Sequence, residues 1–149
     1  MSAASRPRWA VRVVTSSVVR AQVEAANRTF YEAFESLSPD ALADCWSSTQ
    51  EVACVHPGGP WVVGRDAVRD SWEIILANTG YIEVAVEVID VVVADPVAWV
   101  SCLEHVTSAH GGDHATASVA ATNVFVLGTS GWRLVLHHAS PVVRMVGDL

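Results

Sequence analysis

Residues 81–140 read YIEVAVEVIDVVVADPVAWVSCLEHVTSAHGGDHATASVAATNVFVLGTSGWRLVLHHAS, and this stretch decides the fold. Four segments rich in β-branched and apolar residues, 81–94, 97–109, 114–127 and 132–140, are joined by Asp95-Pro96, Gly111-Gly112-Asp113 and Gly128-Thr129-Ser130-Gly131. Joints that short suit antiparallel hairpins, because a parallel neighbour needs a crossover of a dozen residues or more. The four strands are therefore expected to form a meander.

Upstream of this stretch the apolar period changes from two to between three and four. Val19, Val23, Ala26, Phe30, Phe34 and Leu37 mark one face of an amphipathic helix over 19–37. Ser38-Pro39-Asp40 supplies a cap, a first-turn proline and an early acid, which opens a short second helix through Leu42 to Trp46. Residues 52–55 and 61–63 read as two short strands around the turn His56-Pro57-Gly58-Gly59-Pro60. A third helix is expected over 65–78, with Ala67, Val68, Trp72, Ile75 and Leu76 as its buried stripe. Helices first and antiparallel strands last make the fold class α+β, with the helices covering one sheet face. The domain is expected over 18–141, between a flexible N-terminal arm, 1–17, and a short C-terminal tail, 142–149.

The chain has 149 residues, 51% hydrophobic and 17% charged, enough for one domain with a full apolar core. Its longest apolar runs, such as 84–94, are broken by Glu87 and Asp90 and fall short of the roughly 20 residues of a membrane helix. Five of the nine arginines lie in the first 28 residues, whereas four arginines face fifteen acids from residue 29 onward. An acidic body repels phosphate backbones, so nucleic acid is excluded as a partner along with the membrane. The arm is rich in Ser, Ala and Arg but lacks an apolar h-region, and it reads as a loosely docked tail rather than a transit peptide. Cys45, Cys54 and Cys102 form no CxxC pair, which implies reduced thiols and a cytoplasmic location. The absence of lysine beside abundant Val, Ala and Arg is the habit of GC-rich bacterial genes.

The order helix, helix, short hairpin, helix, long meander resembles the nuclear transport factor 2-like superfamily, in its SnoaL-like and ketosteroid-isomerase-like branch. Local carriers are Ser38-Pro39-Asp40 through Trp46, His56-Pro57-Gly58-Gly59, Gly64-Arg65-Asp66-Ala67-Val68, Ala121-Thr122-Asn123-Val124-Phe125 and Gly131-Trp132-Arg133-Leu134 through His138-Ala139-Ser140-Pro141. The resemblance implies a cone, a curved sheet wrapped around the first helix with a pocket at its open end, and frequent dimerisation through the outer sheet face. It implies no single activity, since members include isomerases, cyclases, dehydratases, epoxide hydrolases and binding or assembly domains.

Set against the ketosteroid isomerases, His56-Pro57 occupies the step where the family carries its basic aspartate. A neutral imidazole with an ordinary pKa near 6.5 keeps the chemistry of a base; the alternative is a histidine bonded to turn backbone. Asn123 falls at the family's buried oxyanion acid, and its amide can donate to a developing oxyanion. The family's oxyanion tyrosine maps to Phe30, which has no hydroxyl, and the adjacent Tyr31 lies about 100° away around the helix. The catalytic positions are thus altered.

Strand parity places Ala121 and Phe125 on the face of Asn123, together with either Val100, Cys102 and Glu104 or Trp99, Leu103 and His105. The small apolar series 98, 100 and 102 favours the first set, with Glu104 near the pocket mouth. On the last strand Trp132, Leu134, Leu136 and His138 are expected inward, and Arg133, Val135 and His137 outward. Trp46 and Trp61, flanking the His56 segment, are expected as aromatic walls.

The functional expectation is a cofactor-independent isomerase, cyclase or dehydratase for a hydrophobic, carbonyl-bearing small molecule. His56 is its base, Asn123 its polarising donor, and Phe30, Tyr31, Trp46, Trp61, Glu104, Phe125 and His138 contact the substrate in one cavity. The alternative is a non-catalytic binding or dimeric assembly domain. No metal is expected, because His105, His110 and His114 match no zinc spacing. Val91-Val92-Val93, apolar on both strand faces, points to a homodimer through the outer sheet face.

Overall fold

The computed structural model describes residues 16–143. The expected arm and tail therefore lie outside the described residues apart from Ser16, Ser17, Val142 and Val143. The elements run α1 (Ser17–Glu35), α2 (Pro39–Ala43), β1 (Ala53–Val55), β2 (Trp61–Val63), α3 (Arg65–Ala77), β3 (Tyr81–Ala94), β4 (Val97–His110), β5 (Asp113–Gly128) and β6 (Gly131–Pro141). Six strands form one open sheet in the order β2-β1-β6-β5-β4-β3. The meander of β3 to β6 is antiparallel throughout. β1 joins β6 in parallel, so the sheet is mixed rather than purely antiparallel.

Two helix ends differ from the periodic reading, each for a local reason. α1 stops at Glu35, and Leu37 takes a left-handed φ of 58° that turns the chain away before Ser38 caps α2. The Ser38 side chain accepts from the Ala41 amide at 3.2 Å. α2 ends at Ala43 because the next residues are drawn to the sheet: Leu134 N–H donates to Cys45 O and Ser47 N–H to Leu134 O, both at 2.8 Å. Trp46 accordingly forms a bridge with Leu134 instead of a last helical turn. At Gly64 a φ of 97° turns β2 into α3, a conformation that favours glycine.

Two bulges set which side chains meet the helices. In β3, Val88 pairs with Cys102 and Asp90 with Ser101, leaving Ile89 as an extra residue. In β6, Leu134 pairs with Phe125 and Leu136 with Val124, leaving Val135 extra. One unpaired residue reverses the alternation beyond it. Trp132 and Leu134 are buried as expected, but after the bulge it is His137 and Ala139 that are buried, while His138 is exposed.

The core lies between α1 and α3 and the sheet face carrying Ala98, Val100, Cys102, Ala121, Phe125 and Leu134. Phe30 fills its centre, edge-on to Tyr31 and to Trp72 of α3, and Phe34 packs on Trp72 from the next turn. Burying aromatic area of this kind contributes several kcal/mol, about 1.5–3 for each large side chain. Val91 and Val93 are buried and Val92 half-buried, so the triplet presents less apolar surface than its sequence suggests. No described helix is long and apolar enough to cross a membrane.

Candidate functional site

His56 follows the last residue of β1, half-buried against the edge of the Trp72 ring at a centroid distance of 4.7 Å. Its Nε2 lies 2.9 Å from Ser71 Oγ, and that hydroxyl spends its own proton on Val68 O at 2.7 Å. Ser71 can therefore only accept, which puts the imidazole proton on Nε2 and the lone pair on Nδ1. Burial lowers the His56 pKa below its ordinary 6.5, so the ring is neutral at pH 7. Cys54 Sγ, the near neighbour at 3.7–3.9 Å, is no thiolate: burial and then the Glu104 charge push its pKa up to about 12.

Asn123 is fully buried in the middle of β5 and belongs to a polar circuit that spans four elements, α1, β4, β5 and β6. His137 Nδ1–H donates to Asn123 Oδ1 at 2.5 Å. Asn123 Nδ2 donates to Asn27 Oδ1 at 2.8 Å and to Tyr31 Oη at 3.0 Å, and Tyr31 donates to Glu104 Oε2 at 2.6 Å. Glu104 Oε2 lies 3.9 Å from His137 Nε2, which nearly closes a ring. The helix-one spacing explains why Asn27 and Tyr31 arrive together, since residues four apart share a face.

Electrostatics follow from burial. Glu104, 3% exposed, has its pKa raised by desolvation, with the Tyr31 hydrogen bond working against the rise. Burial, then the Glu104 charge, raises Tyr31 so that it stays a phenol and a donor. Burial, then His56 and His138, lowers His137 to about 3 and keeps it neutral. Three buried indole N–H groups, of Trp46, Trp72 and Trp132, have no partner among the described residues. Such orphaned donors are costly, and Trp72 stands between the two neutral histidines, its ring 5.8 Å from His137.

Among the described residues the expected site residues divide into separate surroundings. Trp46 lines a cleft of about 90 Å³ between α2 and α3 with Leu42, Val52, Arg65 and Trp72, away from Asn123. Trp61 is 60% exposed on edge strand β2 and rests on the ring of His138, centroids 5.1 Å apart. Trp61 is no wall of the His56 surroundings, because β2 has no strand beyond it to cover that ring, and the β6 bulge sends His138 to the other face. Phe30 and Phe125 are sealed in the core. Tyr31, rather than the Phe30 position, delivers the helix-one hydroxyl to Asn123.

Sequence reasoning missed His137, which the bulge turns inward, and Asn27. The signal for Asn27 was a lone amide within the apolar stripe of α1, one turn before Tyr31. Space near the circuit lies between α1 and β3, in a groove of about 560 Å³ with Asn27 and Tyr31 among its lining. Among the described residues no three His, Cys, Asp or Glu side chains gather as metal ligands.

A family model described as the SnoaL-like domain matches residues 23–144, most of the chain and every element from α1 to β6. The chain belongs to the SnoaL-like domain family. In this SnoaL-like protein the backbone closely follows the crystal structure of a candidate dehydratase of the NTF2-like family from Streptomyces avermitilis. The two are 36% identical with a TM-score of 0.82, covering 87% of this chain and 100% of that one. A candidate calcium/calmodulin-dependent protein kinase type II association domain from Thiobacillus denitrificans is 32% identical, with a TM-score of 0.70 over 80% of this chain and 94% of that one. A ketosteroid isomerase-like protein from Erwinia carotovora atroseptica shares the fold, with a TM-score of 0.76 at 20% identity over 87% of this chain and 100% of that one. The SnoaL-like chain also matches the F-box protein SKIP8 of Arabidopsis thaliana, 25% identical over 122 residues. That match covers 82% of this chain and 49% of SKIP8, so the chain spans about half the length of that relative.

Proposed function

We propose that this SnoaL-like protein is a cofactor-independent lyase or isomerase, dehydration being the favoured reaction, acting on a hydrophobic small molecule that bears a carbonyl group. The observation that carries the reading is His56: a neutral imidazole whose Nε2–H is fixed by Ser71 and whose Nδ1 lone pair has only the weakly donating Cys54 thiol beside it, 3.9 Å away. The 36% identity to a candidate dehydratase supports the choice among reactions.

In a β-hydroxy carbonyl substrate, His56 Nδ1 takes the proton from the carbon next to the carbonyl. The electron pair of that C–H bond forms the carbon–carbon double bond as the C–O bond breaks. The proton held on His56 leaves with the hydroxyl as water, so atoms and charge balance without a cofactor. Asn123 acts as polarising donor when the carbonyl oxygen takes the place of Tyr31 Oη as acceptor of one Nδ2 hydrogen. Glu104 accepts the Tyr31 hydrogen bond and keeps that hydroxyl oriented.

A second reading, a dimeric binding or assembly domain without turnover, draws on the 32% identity to a candidate association domain. In either reading the pairing of copies uses the outer sheet face, where Trp99, Leu103, Val124 and Leu136 are half-buried. Sedimentation at micromolar concentration is expected to give a dimer.

Turnover of a panel of β-hydroxy ketones and thioesters distinguishes the two. His56→Ala should lower the rate by about 10²-fold or more with the fold intact, and Asn123→Ala by about 10² to 10³. Full activity in His56→Ala removes this mechanism, and no turnover by the native chain favours the assembly reading.

A further inference from the structure

The face of α1 that looks away from Phe30 and Trp72 borders the groove of about 560 Å³ against β3. Val84, Val86 and Val88 form an apolar strip along one wall. Two arginines and three glutamates of α1 line the other, and their charges nearly cancel. Part of that charge is already committed, since Arg20 pairs with Glu24 and Glu35 accepts from the Val84 amide.

Asn27 gives the groove a chemistry. It is 2% exposed, and its Oδ1 is held by Asn123 Nδ2 at 2.8 Å, which fixes the rotamer and turns Nδ2 the other way. Those two N–H donors have no hydrogen-bond partner among the described residues, although the side chain lines the groove. Tyr31, also in the lining, is engaged with Glu104 through its proton and with Asn123 through its oxygen. A buried amide clamped at one end and unpartnered at the other is a preorganised donor, and the ligand it fits is an acceptor.

We propose that the groove between α1 and β3 is a binding site for an uncharged, apolar small molecule that sets a carbonyl oxygen on the Asn27 side-chain amide and its hydrocarbon body on Val84, Val86 and Val88. An uncharged ligand is selected because the lining of mixed sign rewards neither an anion nor a cation, and a carbonyl because the vacant groups on Asn27 are donors only. The site goes beyond the His56 reading. It lies on a neighbouring face of α1, and occupancy there requires no proton transfer.

Three matched probes test it on the full chain, labelled for NMR: 2-acetonaphthone, which is neutral with a carbonyl; 2-ethylnaphthalene, which lacks the carbonyl; and 2-naphthoate, which is anionic. The ketone should shift the Asn27 side-chain amide and the methyl groups of Val84, Val86 and Val88, and bind about fivefold or more tighter than the hydrocarbon. Asn27→Asp, which keeps an oxygen for Asn123 and removes the donor, should weaken the ketone about tenfold and leave the hydrocarbon unchanged. If that variant does not fold, Val88→Glu at the half-exposed wall should weaken both neutral probes. Equal affinity for ketone and hydrocarbon, tighter binding of 2-naphthoate, or shifts gathered at His56 and Trp72 instead of Asn27 would each overturn the proposal.

Discussion

Two neighbouring faces of α1 divide the work of this molecule. The face of Phe30 and Phe34 meets Trp72 and, through it, His56, so it holds a base in close-packed aromatic surroundings. The face of Asn27 and Tyr31 meets β3, where the groove has space and, among the described residues, an unpartnered donor. Asn123 is common to both sides, since it bonds Asn27 and Tyr31 on one and His137 on the other. The difference shows that a packed helix face orients a side chain by contact, whereas an open face orients it only through buried hydrogen bonds.

Cutting the shared link is the strongest way to break this arrangement. Asn123→Ala leaves Asn27, Tyr31 and His137 each short of a buried partner, and denaturant unfolding should show a loss of about 3 kcal/mol or more, at 1–3 per orphaned group. A loss under about 1 kcal/mol would mean that water substitutes freely and that the two faces are not coupled.

Acid titration sharpens the contrast further. His137 is held neutral with a pKa of about 3, against an ordinary 6.5 in the unfolded chain. Between those values the unfolded state binds a proton that the folded state does not, so stability falls as pH is lowered from 6.5 to 3 and levels off below. One group limits the slope to about 1.4 kcal/mol per pH unit. Glu104, with a raised pKa, acts in the opposite sense above its ordinary carboxyl value, losing stability as pH rises. His137→Gln should therefore reduce the acid-side slope while leaving the His56 and Glu104 contributions in place, as read by thermal unfolding at a series of pH values.

The smallest change is expected on the aromatic face. Ser71→Ala deprives His56 Nε2–H of its acceptor, at a cost of about 1 kcal/mol. Turnover should drop by about tenfold, less than removal of the base itself, because the tautomer is no longer fixed. An unchanged rate would assign the Ser71 contact to packing alone.

Much of the fold was legible because its signals are local. The spacing from Val19 to Phe34, the Ser38-Pro39 cap and the glycine-bearing joints after residue 80 report directly on α1, α2 and the meander. The expected fold class, α+β with helices on one sheet face, agrees with the six-stranded sheet. Burial was legible at single positions: His56 follows β1, Asn123 is buried, and Glu104 is buried on the same sheet face, as the small series Ala98, Val100 and Cys102 suggested. His138 was misplaced because alternation along β6 holds only until Val135, and Trp61 because β2 is an uncovered edge strand.

The sequence by itself determined the order of elements and the apolar stripes, since these follow from periodicity and turn chemistry within a few residues, while His56 and Asn123 were singled out through the family resemblance. Only the tertiary structure decided that His137 rather than His138 faces inward, that Tyr31 rather than residue 30 brings a hydroxyl to Asn123, and that Asn27 keeps a vacant donor over a groove. Each of those depends on register and rotation between segments far apart in the chain, from Asn27 to Asn123 and from Phe125 to Leu134, where a shift of one residue changes the face presented.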